Sequence, residues 1–292
     1  MSIIEQAAKR LEQLRKAGVE VPMVVPPLGT PPLGTPPAAP SAARIADIGG
    51  AAPATSRHVD LDLARMAKNN LLVPNHGNYE LERDFRVIKQ PLLAKSIGDA
   101  RIPRGNVILV TSALPGEGKT FCCINLALSM AAEIDKTVLL VDADVAKPAV
   151  PARLGVDPSD GLLDLLSRPD SHLPDLIVRT NIPKFNLLQS GRPRTNSAEL
   201  LASGEMRRLV DEIAERYADR IVVLDAPPLL ATVDARILAH LAGQVVMVVE
   251  SGRTTRQQVS EAYAMVADCP NVTSVLNRRP GKHGAYYGGY GY

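Results

Sequence analysis

Ala113-Leu-Pro-Gly-Glu-Gly-Lys-Thr120 is the stretch on which the fold turns. An apolar run, Val107-Ile-Leu-Val110, precedes it, and Phe121-Cys-Cys-Ile-Asn-Leu-Ala-Leu-Ser-Met130 follows. The order reads strand, glycine-bearing loop, helix. Such a turn aims backbone N–H groups and the positive end of a helix at one point, as a polyphosphate requires. Gly116 and Gly118 let the main chain come close to a ligand. Lys119 places a charge for the β- and γ-phosphates, and Thr120 places a hydroxyl for Mg²⁺. Gly116, Glu117, Gly118, Lys119, Thr120 and Phe121 form the nucleotide-contacting set on this loop. The strict pattern opens on glycine, where this chain has Ala113.

Outward from the loop, strand-like runs recur at 107–111, 137–141, 185–189, 221–224, 245–249 and 272–276. Helical patterns fall between them at 119–132, 197–216, 232–241 and 255–267. Apolar strands alternating with helices predict an α/β fold of the P-loop NTPase type. Its sheet is mostly parallel and carries helices on both faces. Ligands of such sheets bind at the carboxyl ends of the strands. Asp142 and Asp144 stand at one such end, after Val138-Leu-Leu-Val141, and Asp225 stands at another, after Ile221-Val-Val-Leu224. Strand-end carboxylates behind a phosphate loop hold Mg²⁺, directly or through water. That makes Thr120, Asp142 and Asp225 the metal set, and Lys119, Asp142, Asp144 and Asp225 the catalytic set. A simple ATPase needs one strand-end acid. The second strand's pair could orient or deprotonate a hydroxyl of water or of a side chain. Asn277 ends a further strand and suits either an adenine edge or a turn. The Asn277-Arg-Arg-Pro280 run lacks the guanine-reading pattern, so ATP is expected over GTP.

The flanks differ in kind. Residues 1–20 read as a short amphipathic helix, with Ile4, Ala7, Ala8, Leu11 and Leu14 on one face. That face packs on its own domain or on another protein. Residues 21–78 read as a Pro-rich linker, in which Pro26-Pro-Leu-Gly-Thr30 repeats as Pro31-Pro-Leu-Gly-Thr35. Fifteen such residues in polyproline II could span on the order of 45 Å. The folded domain is placed at 79–278, and 279–292 as a tail holding four of the chain's seven tyrosines: Tyr286, Tyr287, Tyr290 and Tyr292. Glycines crowd that tail, so the phenols read as hydroxyls offered to a catalyst rather than as core rings.

Composition narrows the partners. The net charge of +2 is too small, and its basic residues too scattered, to argue for nucleic acid. Three cysteines form neither a disulfide framework nor a metal pattern, and no apolar run approaches the ~20 residues of a membrane span. No signal peptide is evident, so the cytoplasm is the expected compartment.

From about residue 80 onward the chain resembles the bacterial protein-tyrosine kinases of exopolysaccharide systems. The matching residues are Ser112-Ala-Leu-Pro-Gly-Glu-Gly-Lys-Thr120, Leu139-Leu-Val-Asp-Ala-Asp144, Val223-Leu-Asp-Ala-Pro-Pro228, Gln189-Ser-Gly191 with Asn196-Ser-Ala-Glu-Leu-Leu201, and the tyrosine cluster. The N-terminal helix and linker are similar to the branch encoded with exosortase-type polysaccharide loci. The resemblance implies ATP- and Mg²⁺-dependent autophosphorylation, with one protomer's tail entering a neighbour's site in a ring-like homo-oligomer. It implies a membrane chain-length (co-polymerase) protein as activator, and a location peripheral to the inner membrane through that partner. Glu80, Arg83 and Arg86 satisfy the family's protomer-contact spacing, and an alternative register falls on Arg83, Arg86 and Lys89. Where the family usually has a basic residue after the acidic pair, this chain has Ala146. Two other readings share the nucleotide loop. One is a partitioning or Min-type ATPase switch, which usually carries an extra lysine early in the loop that Ala113-Leu-Pro-Gly116 lacks. The other is a non-catalytic nucleotide-binding scaffold.

Overall fold

The computed structural model describes residues 57–74, 78–96, 98, 100–216 and 220–280. The expected N-terminal helix, most of the Pro-rich linker and the four tail tyrosines lie outside the described residues. Eight strands form one sheet: β1 (His58–Val59), β2 (Val107–Ser112), β3 (Thr137–Asp142), β4 (Val178–Thr180), β5 (Phe185–Leu188), β6 (Arg220–Asp225), β7 (Gln244–Glu250) and β8 (Val272–Asn277). Their spatial order is β1-β4-β5-β3-β6-β2-β7-β8, and every pair is parallel except β4 with β5.

The strands are apolar throughout because both faces are covered. Along β2, Val107 and Leu109 enter one core layer while Ile108 and Val110 enter the other. β3 divides its side chains the same way, with Leu139 and Val141 opposite Val138 and Leu140. The covering helices are α1 (Leu63–Lys68), α2 (Tyr79–Ser96), α3 (Lys119–Ala131), α4 (Val150–Leu154), α5 (Leu162–Ser167), α6 (Leu173–Leu176), α7 (Ser197–Leu201), α8 (Gly204–Arg216), α9 (Val233–Leu241) and α10 (Arg256–Met265). α1 to α4 pack on one face, and α5 to α10 pack on the other. Buried Gln244 fastens α2 to the sheet, since its Nε2 donates to Leu92 O at 2.9 Å and to Gly105 O at 2.6 Å. No helix of the described residues is long and apolar enough to cross a membrane.

Two expectations need correction. The linker does not run to residue 78, because ordered structure begins by residue 57. β1 adds to the sheet edge beside β4, and Leu61, Met66, Leu71, Leu72 and Val73 are buried. Asn125, inside α3, accepts a hydrogen bond from Leu72 N at 2.7 Å and so fixes this segment on the domain. Its apolar residues are too sparse and its elements too short to show a period. The single helix expected over 197–216 is two helices. Ser203 breaks it, because its hydroxyl accepts from Met206 N at 3.2 Å and donates to Leu200 O at 2.7 Å. A serine hydroxyl at that place caps a new helix instead of continuing the old one.

Candidate active site

Sheet register assembles the acidic groups. Asp142, ending β3, is the lateral partner of Asp225, ending β6. β2 lies on the other side of β6, so the loop between β2 and α3 opens beside both carboxylates. Gly118 caps α3 at φ 90°, and Gly116 stands at φ 89°, left-handed values that favour glycine. A Cβ on Gly118 would also fall on the Asn277 side-chain amide, which itself donates to Glu117 O at 2.8 Å. Gly118→Ala is therefore expected to displace the loop and to weaken ADP binding by about tenfold or more. Calorimetric titration checks this, and an unchanged affinity would show that the loop tolerates the strain.

Lys119 and Thr120, the first residues of α3, point at the strand ends. Thr120 Oγ1 donates to Asp225 Oδ2 at 2.7 Å. Lys119 Nζ lies 2.7 Å from Asp144 Oδ2 and 3.4 Å from Asp225 Oδ1. Burial works against the lysine's charge, but the carboxylates of Asp225 and Asp144 outweigh it and hold its pKa above the ordinary value. Asp225 is fully buried, and that burial lifts its pKa to about 6 against the pull of Lys119 and the Thr120 hydroxyl. Asp142 goes higher, to about 7, through burial and then through the neighbouring charge of Asp225. Its Oδ2 accepts from Ala149 N at 3.1 Å and Val150 N at 3.0 Å. Its Oδ1 is buried with no hydrogen-bond partner among the described residues. An unmatched carboxylate oxygen, a hydroxyl and a lysine around one glycine-lined loop fit Mg²⁺ and a polyphosphate. A metal ion or its water would satisfy Asp142 Oδ1, and phosphate oxygens would replace Asp144 as the lysine's counter-charge.

Comparison with known proteins gives the family and the fold. The sequence model of the AAA domain family matches residues 105–276. The chain is 35% identical over 186 residues to tyrosine-protein kinase YwqD of Bacillus subtilis, covering 63% of this chain and 77% of that protein. The chain belongs to the bacterial protein-tyrosine kinase family. A longer member, tyrosine-protein kinase wzc of Salmonella typhimurium, is 34% identical over 161 residues, and the matched part spans 55% of this chain and 22% of that protein. Among solved structures, the kinase domain of Escherichia coli tyrosine kinase ETK superposes with a TM-score of 0.59 at 25% identity, covering 70% of this chain and 80% of that one.

The remaining residues singled out in the sequence fall in different places. Glu117 turns its carboxylate inward. One oxygen accepts from Leu114 N at 2.6 Å, and the other accepts from Glu250 N at 3.2 Å and from the Thr254 hydroxyl. Its side chain clamps the loop to the end of β7. Asn277 spends its amide on that same loop, and its Oδ1 accepts from Arg278 N at 2.9 Å. Both ends of the side chain thus serve the turn. Phe121 is half-buried against the α1–α4 core layer. Glu80, Arg83 and Arg86 are exposed on α2. Lys89 is buried, with its ammonium 2.7 Å from Ser129 O and 2.7 Å from Glu133 Oε1, so the register that includes Lys89 is excluded as a surface contact.

Charged side chains that belong to no sequence motif stand at the same sheet edge. Glu250 pairs with Arg253 and Arg278, each at 3.0 Å, and these guanidiniums draw its pKa down. Arg253 Nη1 lies 3.3 Å from where a Cβ on Gly116 would stand. Asp234, in the first turn of α9, has its pKa raised by burial and by the carboxylates of Asp144 and Glu199. Strand order would have pointed to Glu250 and Arg253, since β7 is the neighbour of β2 and ends at the same edge.

Proposed function

We propose that this protein is an ATP-dependent protein-tyrosine autokinase whose acceptors are Tyr286, Tyr287, Tyr290 and Tyr292. The observation that carries the reading is Asp142. It is a buried carboxylate with one unpartnered oxygen, at the sheet edge it shares with Asp225 and the phosphate-loop lysine. A carboxylate with a free lone pair beside a phosphate loop can take the proton of an incoming phenol. ATP, when bound, supplies the phosphoryl group, and Mg²⁺ supplies the charge that holds it. Thr120, Asp142 and Asp225 hold the metal, directly or through water. Lys119 and the loop N–H groups steady negative charge on the transferred group. Asp142 takes the tyrosine proton, while Asp144 keeps its place as the lysine's partner.

The acceptor enters in trans from a second protomer. Support for protomer contact lies on α2, where Tyr79 (78% exposed) and Val87 (55% exposed) flank Glu80, Arg83 and Arg86. Apolar side chains left in water beside a charged stripe favour a protein partner. From the family resemblance, the kinase regulates exopolysaccharide chain length or export. It acts at the inner membrane through a chain-length protein that activates it.

Incubating the purified chain with labelled ATP and Mg²⁺ tests the reading. Label is expected on the terminal tyrosines, and conversion of all of them to phenylalanine is expected to abolish it. ATP hydrolysis with an unlabelled tail, even with the activator's cytoplasmic segment present, would instead favour a partitioning-type switch.

A further inference from the structure

α7, α8 and α9 line a groove of about 450 Å³. Its apolar lining includes Leu201, Val233 and Ile237, and its polar lining includes Arg207, Arg236 and His240. Val233 is 73% exposed, an unusual cost for a valine opening a helix. No acidic side chain lines the groove. Neither the Arg207 nor the Arg236 guanidinium has an ion-pair partner among the described residues. His240 is already engaged, with Nδ1 2.7 Å from Arg236 O and Nε2 3.9 Å from the Asp268 carboxylate. The positive rim therefore rests on the two arginines. Apolar lining and two guanidiniums in one groove match a phosphorylated aromatic side chain, with ring against aliphatic carbons and phosphate against planar forks of N–H donors.

We propose that this groove binds the phosphotyrosine form of the chain's own tail, residues 281–292. The inference rests on the autokinase reading for the source of the phosphate. Charge complementarity favours this occupant. Unmodified, the tail brings Lys282 and no Asp or Glu side chain toward two arginines. Each phosphotyrosine adds about −1.5 to −2. Reach also favours it. The described chain ends beyond β8, and α9 packs over β2, two strands away. The lateral offset is about two steps of ~4.8 Å, and the helical layer stands roughly another 10 Å above the sheet. Twelve extended residues reach at most roughly 40 Å. The rival occupant, α2 of a second copy, would set Arg83 and Arg86 against Arg207 and Arg236. No residue of the phosphate loop and none of Asp142, Asp144 and Asp225 lines the groove, so a tail held here is withdrawn from the site that made it.

The test uses full-length, dephosphorylated protein and a synthetic peptide of residues 281–292. The peptide is made with phosphotyrosine at positions 286, 287, 290 and 292, and also unmodified. Fluorescence anisotropy is expected to show the phosphopeptide binding at least about tenfold more tightly than the unmodified peptide. The Arg207→Ala/Arg236→Ala double variant is expected to lose that preference while keeping its melting temperature and its ADP affinity. Arg236→Glu provides a second variant, expected to repel the phosphopeptide. Equal binding of the two peptides would overturn the proposal. So would phosphopeptide binding indifferent to both arginines, or binding that ADP displaces in the double variant and the parent alike. Because the peptide is phosphorylated chemically, its binding is independent of whether the chain labels itself with ATP.

Discussion

Lys119→Met is expected to lower tail phosphorylation by roughly 10²–10³, the usual cost of removing one preorganised donor from a developing charge. The same change should alter the protein's response to pH without any nucleotide. Lys119 is the ammonium within 2.7 Å of Asp144 and 3.4 Å of Asp225, and Asp142 adjoins that pair. Methionine fills similar space without charge. Asp225, whose pKa already stands at about 6, loses the main force holding it down. Its folded pKa rises further above the unfolded value, so the folded state binds more protons than the unfolded one over a wider range. Stability contributed by that proton is present at low pH and is lost as pH climbs through the folded pKa. The melting deficit of the variant against the parent should therefore widen between about pH 5 and pH 8. Thermal melts across that range check it. A deficit that stays constant with pH would mean that the lysine does not neutralise these acids in the folded protein.

What the sequence disclosed, and what it hid, follows from the range of each interaction. β2, β3, β6 and β7 were legible because strands buried on both faces are unbroken apolar runs. The placement of Lys119, Thr120, Asp142 and Asp225 around one point was legible too. A loop motif fixes the first two locally, and parallel strands bring their ends to one edge. Register was not legible, and it is register that sets Asp142 beside Asp225. β1 was hidden because two residues have no period, and its pairing depends on β4, roughly 120 positions away. β4 runs antiparallel to β5 in an otherwise parallel sheet, a choice made by the turn at Lys184 (φ 63°) and not by composition. The loop pattern expects a nucleotide contact at Glu117 because the residue stands between Gly116 and Gly118. Its partners at Glu250 and Thr254 come from the far end of the chain, and only the fold reveals that the carboxylate is a clamp.

Asp142→Asn is expected to make the protein more stable and less active. Burial is the first cause of the aspartate's high pKa, and the charge of Asp225 is the second, so at neutral pH the folded chain carries an ionised group that it would hold more readily as the acid. With a folded pKa of about 7 and an unfolded value near ~3.9, this group supports folding below about pH 4. That support fades as pH rises and is gone above about pH 7. Asparagine carries no such dependence. Its carbonyl can keep the hydrogen bonds from Ala149 N and Val150 N, and its amide takes the place of the unpartnered Oδ1. At pH 8 the variant should gain on the order of 2–4 kcal/mol over the parent, and near pH 4 the two should converge. Denaturant melts at both pH values measure this. Phosphotransfer should fall by roughly 10²–10⁴, the contribution of a positioned base, with a further loss wherever metal binding depends on the carboxylate. A variant less stable than the parent at pH 8 would place the buried charge on the stabilising side, through a hydrogen bond or cation that Oδ1 acquires in solution. Retained phosphotransfer would move the proton-accepting role to Asp144, the other carboxylate after β3, and would require Lys119 to release it when nucleotide binds.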